Sequence, residues 1–414
     1  MELKKPKKIV MITSGQPSLN PRLVKEADAL AGAGYDVTVL YAYWNDWGAK
    51  FDQELIPTKK WKAICIGGDP HQKKRTYFFS RMIHGFAKLM SRKSKAKYLA
   101  ELAISRASYF LSREAKKYAA DIYIGHNLGA LPATIKAAKA NKKLCGFDAE
   151  DLHRYEVSDT QTDYDVILKS ALEDRYIPQV DYLTASSPLI AEKYQQLFPD
   201  KKPVVILNVF PRNTTIPQPV NNPDDPIRLL WFSQTIGPSR GIEDIIGALR
   251  LLGSYPFELH LLGHLSNENK INFIDKLIDS LPVPVYFHEP VNPNELAAFS
   301  SQFDLGLALE PGFSMNNDFA LSNKIFTYLQ AGLGVIASDT KAHSNLLNQY
   351  PAIGKLYQKG DHQALADILL EYHQHRGKLL ETRKAAFDIA NDQLNWENES
   401  NRFLDIVEQT LTNH

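Results

Sequence analysis

The residues best placed to do chemistry lie between Phe303 and His343, where Glu310, Ser322, Asn323 and Lys324 punctuate a polar loop and the helix that follows it. Ser322-Asn323 has the chemistry of a helix N-cap, and Lys324 falls in the first turn. Unpaired N–H groups and the dipole make such a helix start favourable for an anion, so a phosphate is the natural guest. A second cation, Arg240, sits in the loop Ser233–Gly241 beside Gln234 and Thr235. His126 and Asp148 each close a short apolar run, and Gly15 in the loop Ser14–Ser18 lets the backbone approach a ligand closely. Arg240, Lys324 and the helix start at Ser322 would form a diphosphate clamp without a metal, stabilising a phosphate leaving group electrostatically. His126 and Asp148 would orient hydroxyls of a donor or an acceptor. Each residue also has a plainer reading. Arg240 is a helix-capping surface charge, Lys324 and Glu310 are solvated, His126 is a satisfied strand-end histidine and Asp148 is a helix cap.

The elements that must position these residues alternate strand and helix. Lys8–Thr13 reads as a buried parallel strand, Asn20 caps a helix with Pro21 at its first position, and 35–41 is a second strand. Further strands are expected at 121–125, 144–147, 182–186 and 204–208. A stretch rich in Pro and Asn, 211–226, marks a domain boundary. The alternation restarts with strands at 227–232, 258–262, 285–288, 304–309 and 335–337. Helices from 363 and a long tract over 378–411 close the chain. In sheets of this kind ligands bind at the carboxyl ends of the strands. The fold class is therefore α/β, with two Rossmann-like doubly wound domains facing across a cleft. The loops of Gly15, His126 and Asp148 are expected opposite those of Arg240 and Ser322. The expected division is 1–210, joined by the C-terminal helix from about 393, then the linker, then 227–392.

A length of 414 residues supports two domains, and 44% hydrophobic residues suffice for full cores. Two cysteines without metal-ligand spacing, Cys65 and Cys145, suit a reducing compartment. The apolar run Ile9–Ile12 is too short for a signal peptide, and no stretch approaches the ~20 apolar residues that span a bilayer. A cytoplasmic protein is expected, peripheral on the inner face of the cell membrane. The first loop lacks G-x-G-x-x-G, which disfavours a nicotinamide cofactor. No residue set suggests a Ser/His/Asp triad, a Walker loop or a zinc site. Asp163-Tyr164-Asp165 resembles the metal-binding Asp-x-Asp of another transferase class, but its helical context argues against metal binding.

Net charge is +1, yet the charge is unevenly distributed. Residues 73–117 hold thirteen Lys/Arg against Glu101 and Glu114, interleaved with Tyr77, Phe78, Phe79, Met82, Phe86 and Leu89. A basic amphipathic segment suits an anionic membrane surface or an acidic substrate. Nucleic acid is not expected, because no recognised nucleic-acid motif accompanies the charge. The plainer reading is a solvated helix with its apolar face in the core.

Four stretches together resemble the GT-B glycosyltransferases of the large family 4 group, over nearly the whole chain. They are GQPSLNPRLVKEADALAGAGYDV, FDAEDLHR, LLWFSQTIGPSRGIEDIIGAL and SNKIFTYLQAGLGVIASD, in that order. The resemblance implies sugar transfer from a nucleotide-diphospho-sugar to a hydroxyl acceptor, a sugar or a lipid-linked one. It further implies retention of anomeric configuration, no metal or other cofactor, and a role in cell-surface polysaccharide or glycolipid synthesis. By that resemblance His126 matches an active-site histidine, and Arg240 matches the second basic diphosphate-binding position. Where the family carries Arg, this chain has Thr235, with Gln234 beside it. The paired glutamates of the family correspond to Phe319 and Thr327. Thr327 offers the ribose hydroxyls only a weaker hydrogen bond, and Glu310 is a candidate replacement carboxylate. The middle motif has Glu150 where the family has His. A nucleotide-sugar 2-epimerase and a non-catalytic GT-B scaffold subunit are the competing readings.

Overall fold

The computed structural model describes residues 5–94, 99–213, 225–292 and 295–413. These residues form two parallel sheets. The first holds β1 (Lys8–Thr13), β2 (Asp36–Ala42), β3 (Lys62–Ile66), β4 (Ile122–His126), β5 (Leu144–Ala149), β6 (Tyr182–Ala185) and β7 (Val204–Val205), in the order β3-β2-β1-β4-β5-β6-β7. The second holds β8 (Ile227–Thr235), β9 (Phe257–His264), β10 (Val285–His288), β11 (Leu305–Ala308), β12 (Gly334–Ser338) and β13 (Gly354–Tyr357), in the order β10-β9-β8-β11-β12-β13. β4, β6, β11 and β12 are buried at every position, as expected of strands covered by helices on both faces.

Both orders reverse at one place. β1 pairs with β2 on one side and β4 on the other, and β8 pairs with β9 and β11. At such a reversal the connections leave in opposite directions and open a crevice beyond the strand ends. In the first sheet the loops carrying Gly15 and His126 therefore leave from the reversal; in the second, the loops of Arg240 and Glu310 do.

The chain divides into two compact units. One runs up to Leu207 and includes Ser314–Asn316 and the residues from Ser400 onward; the other comprises Asn208–Phe313 and Asn317–Glu399. The proline-rich linker expected over 211–226 lies outside the described residues at 214–224. The expected tract over 378–411 is two helices, Arg376–Asp392 and Trp396–Thr412. Gln393 at the break has φ −124° and ψ −49°, which ends the first helix. Asn20 caps the first helix as expected, accepting from the Leu23 amide at 3.0 Å. Among the described residues no helix is long and apolar enough to cross a membrane.

Candidate active site

In the first unit, His126 and Asp148 end adjacent strands and stand side by side in the β4–β5 register. Both are buried, His126 completely. The helix Pro21–Gly32 supplies their partners. Arg22 Nε and Nη2 donate to the two Asp148 oxygens at 2.6 and 2.7 Å, and Thr184 Oγ1 donates to Oδ1 at 2.6 Å. His126 Nε2 lies 3.2 Å from Glu26 Oε2, and its Nδ1 lies 3.6 Å from Asp148. Burial alone would raise the Asp148 carboxyl, but Arg22 outweighs it and holds the group below its ordinary value. Burial likewise works against charged His126, while Glu26 and Asp148 push the imidazole above its ordinary value. Glu26, His126 and Asp148 have ligand atoms within 4.8 Å of one another. A guanidinium already occupies Asp148 bidentately and lies 3.6 Å from Glu26, so the cluster already holds a cation of its own.

The loops above this cluster are tied to each other. Asn127 adopts a left-handed backbone (φ 59°), accepts from Ser14 Oγ at 2.6 Å and donates to Thr13 Oγ1 at 2.8 Å. A Cβ at Gly15 would meet nothing within 4 Å, so the backbone there is open to approach.

In the second unit, Glu310 gathers the residues of the clamp. Its Oε1 accepts from Lys324 Nζ at 2.6 Å and from Ser322 Oγ at 2.9 Å, while Ser338 Oγ donates to its carbonyl at 2.7 Å. Burial would raise the Glu310 carboxyl, but the Lys324 charge and the two hydrogen bonds hold it below its ordinary value. Ser322 occupies the N-cap position of the helix Asn323–Gln330 without capping it, because its hydroxyl is spent on Glu310. Lys324 Nζ also lies 5.5 Å from the centre of the Trp231 ring. Asn323 is exposed and accepts from Asn208 at 3.1 Å. Thr327 is buried and donates to the Asn323 carbonyl at 3.2 Å, which turns its hydroxyl proton into its own helix.

Arg240 is exposed, and its Nη1 donates to Ser233 Oγ at 2.7 Å. Gln234 is exposed beside that serine, and Thr235 follows a register shift in β8. The loop of Arg240 and the loop of Glu310 press together at Gly241. Its φ is +78°, and a Cβ there would lie 2.0 Å from the Leu309 carbonyl. The structure thus brings Arg240, Lys324, Ser322 and Glu310 to one end of the second sheet, and His126 with Asp148 to the matching end of the first.

Sequence reasoning missed Arg22 and Glu26, whose (i, i+4) spacing on the first helix was the available signal. It also missed Ser233, Ser338 and His343. The buried imidazole of His343 meets the Ser338 carbonyl at 3.0 Å through Nδ1, and burial lowers its pKa.

No family model matches the chain, and no curated protein matches it. Solved structures do. HepE of Anabaena, solved with UDP, is 14% identical with a TM-score of 0.65, over 97% of this chain and 100% of its own. Sucrose-phosphate synthase of Thermosynechococcus elongatus is 14% identical with a TM-score of 0.67, over 99% of this chain and 100% of its own. The fold is that of the GT-B glycosyltransferases. A glycosyltransferase of Rickettsia africae ESF-5 extends the same likeness at 15% identity and a TM-score of 0.67, over 99% of this chain and all of its own. In the GT-B fold, as in this chain, two parallel sheets follow one another, and both sheets of this chain reverse strand order once.

Proposed function

We propose that the chain is a glycosyltransferase that moves a sugar from a nucleotide-diphospho-sugar, a uridine diphosphate sugar in the first instance, to a hydroxyl acceptor. The observation that carries the reading is the exposed Arg240 beside the Glu310–Lys324–Ser322 group, at the strand reversal of the second sheet. Arg240 and the amides that open the helix Asn323–Gln330 take the diphosphate. Lys324 is engaged by Glu310, so it holds that carboxylate in place as well as adding positive charge. Glu310 Oε2 is left to accept from the ribose hydroxyls, the task Thr327 fills poorly. As the bond from the anomeric carbon to the phosphate oxygen breaks, its electron pair goes to the diphosphate, where these donors stabilise it. The acceptor oxygen bonds to the anomeric carbon with retention, its hydroxyl proton leaves to the phosphate, and no metal is required. His126 and Asp148, being buried, act as positioning residues that fix the strand ends on the acceptor side. The chain works at the inner face of the membrane, touching it through residues 73–117, in polysaccharide or glycolipid synthesis.

Nucleotide binding tests the reading. UDP at about a hundred times its Kd stabilises the native state by about 2.7 kcal/mol, seen as a raised Tm. Arg240→Ala removes most of that rise and leaves the ligand-free Tm within experimental scatter, since the side chain is exposed. If none of UDP, GDP and dTDP or their sugars moves the Tm of the unmutated chain, the transferase reading fails.

A further inference from the structure

The helix Lys74–Ser94 is packed the reverse of an ordinary surface helix. Ser80, Ala87 and Ser91 are its buried residues, small and partly polar. Its large apolar side chains point to solvent instead: Phe78 is 59% exposed, Met82 70%, Phe86 65% and Leu89 53%. Their spacing of four, four and three residues puts them on one face of the helix. Phe79 widens that face. A solvated helix with its apolar face in the core, the plainer expectation from sequence, is thus the opposite of what is found. Seven Lys and Arg from Lys73 to Lys93 are exposed, and no acidic residue lies among them. Three of the other cations of the 73–117 segment have domain tasks. Arg106 donates to the Gly67 and Tyr43 carbonyls, and Lys117 and Arg113 pair with Glu114. Lys95 and Lys97 lie outside the described residues.

A second exposed feature adjoins the start of this helix. Trp44 and Trp47, 66% and 57% exposed, leave the carboxyl end of β2. Gln16 Oε1 fixes their loop by accepting from the Trp44 and Asn45 amides at 2.9 Å each. Asp46, which opens the helix Asp46–Leu55 that carries Trp47, meets His71 Nε2 at 2.6 Å, and the Tyr43 ring meets the Tyr77 ring edge-on at 5.7 Å. Loop and helix are therefore one surface.

We propose that this surface docks on a bilayer containing anionic phospholipid. The Phe78–Met82–Phe86–Leu89 stripe enters the acyl boundary, the flanking cations meet the head groups, and Trp44 and Trp47 sit at the interface. Amphipathic helices with this residue distribution lie in the membrane plane, indoles favour its polar boundary, and each cation adds attraction to an anionic leaflet. A second copy of the chain is a poor occupant, since a two-fold contact would set the same seven cations against each other. The docked surface adjoins the β1 and β2 ends, because the Ala42 amide donates to the Gly15 carbonyl at 3.2 Å. A lipid-borne acceptor is therefore delivered directly to the acceptor side. The inference rests on the membrane assignment made above and not on the transfer chemistry.

The test uses the full chain and two vesicle types, phosphatidylcholine alone and phosphatidylcholine with phosphatidylglycerol. The chain is expected to sediment with the second and not the first, and high salt is expected to release it. Met82→Glu with Phe86→Glu lowers binding at least about tenfold, and both changed side chains are exposed, so the fold is kept. Brominated lipid quenches tryptophan fluorescence, and Trp44→Phe with Trp47→Phe removes most of that quenching. Equal binding by the double glutamate variant, or equal binding to both vesicle types, overturns the proposal. So does self-association that the variant abolishes in a chain that ignores vesicles. UDP stabilisation measured on the same variants is expected to be unchanged. Its absence from every protein, with docking intact, would fail the transferase reading alone.

Discussion

At the β1–β4 reversal of the first unit, Arg22, Glu26, His126 and Asp148 all point inward, and each charge answers another. At the β8–β11 reversal of the second, Glu310, Lys324 and Ser322 are only partly buried, and Arg240 stands in solvent. Both sets combine carboxylate with cation, and the places in the topology are equivalent. What differs is dehydration. A charge removed from water must be matched by its neighbours, so its first effect is to hold the fold. A charge at the rim keeps its hydration until a ligand displaces it. The first cluster should therefore report on stability and the second on binding.

Arg22→Ala is the most damaging way to probe that contrast. It strips Asp148 of two charge-assisted bonds and leaves two carboxylates in the interior, with an expected loss of about 3–5 kcal/mol in denaturant unfolding. Arg22→Lys recovers little of this, since an ammonium cannot reproduce the two-point bond. A loss under about 1 kcal/mol, the range of a surface ion pair, would show that the cluster is hydrated after all and would erase the contrast.

Much of this was legible beforehand. The apolar runs KIVMIT and GVIAS read as strands because buried parallel strands have no polar face to interrupt them, and Asn20-Pro21 announced its helix through capping chemistry. β3 (KAICI) and β13 (GKLY) were not picked out, since each is short and carries a lysine or a glycine where a core strand would be apolar. The candidate residues were found by type and loop position. Depth was not legible, because burial of His126 and Asp148 follows from Arg22 reaching across from another element. Nor could spacing give direction. The period of the Lys74–Ser94 helix marks an apolar face without saying that small residues on the other face take the domain side.

His153 extends the contrast to pH. Burial would lower its imidazole, but the hydrogen bond and charge of Glu156, 2.6 Å away, push it up to about 9. A group raised on folding contributes its full stability below its ordinary value, near pH 6.5, and loses it as pH climbs through 9. The contribution of His153 should therefore fall by roughly 3 kcal/mol over that window, and the stability difference between the unmutated chain and His153→Gln should change by that amount across it. Parallel unfolding curves for the two proteins would remove His153 from the interior ion set.

Glu310→Gln gives the smallest effect and the most discriminating one. The amide keeps the shape but not the charge that Lys324 and Ser322 hold at Oε1. If the carboxylate receives the ribose, uridine and UDP weaken together, each about tenfold or 1.4 kcal/mol, whereas Arg240→Ala weakens UDP and spares uridine. The acid limb supplies an independent check. Glu310 titrates below its ordinary 4.5, so its contribution to stability is present above that pH and disappears as pH drops through the lowered value. The stability gap between the unmutated chain and Glu310→Gln should close over that descent. If UDP weakened and uridine did not, Glu310 would act on the diphosphate through Lys324, and the ribose would have to be held by another group.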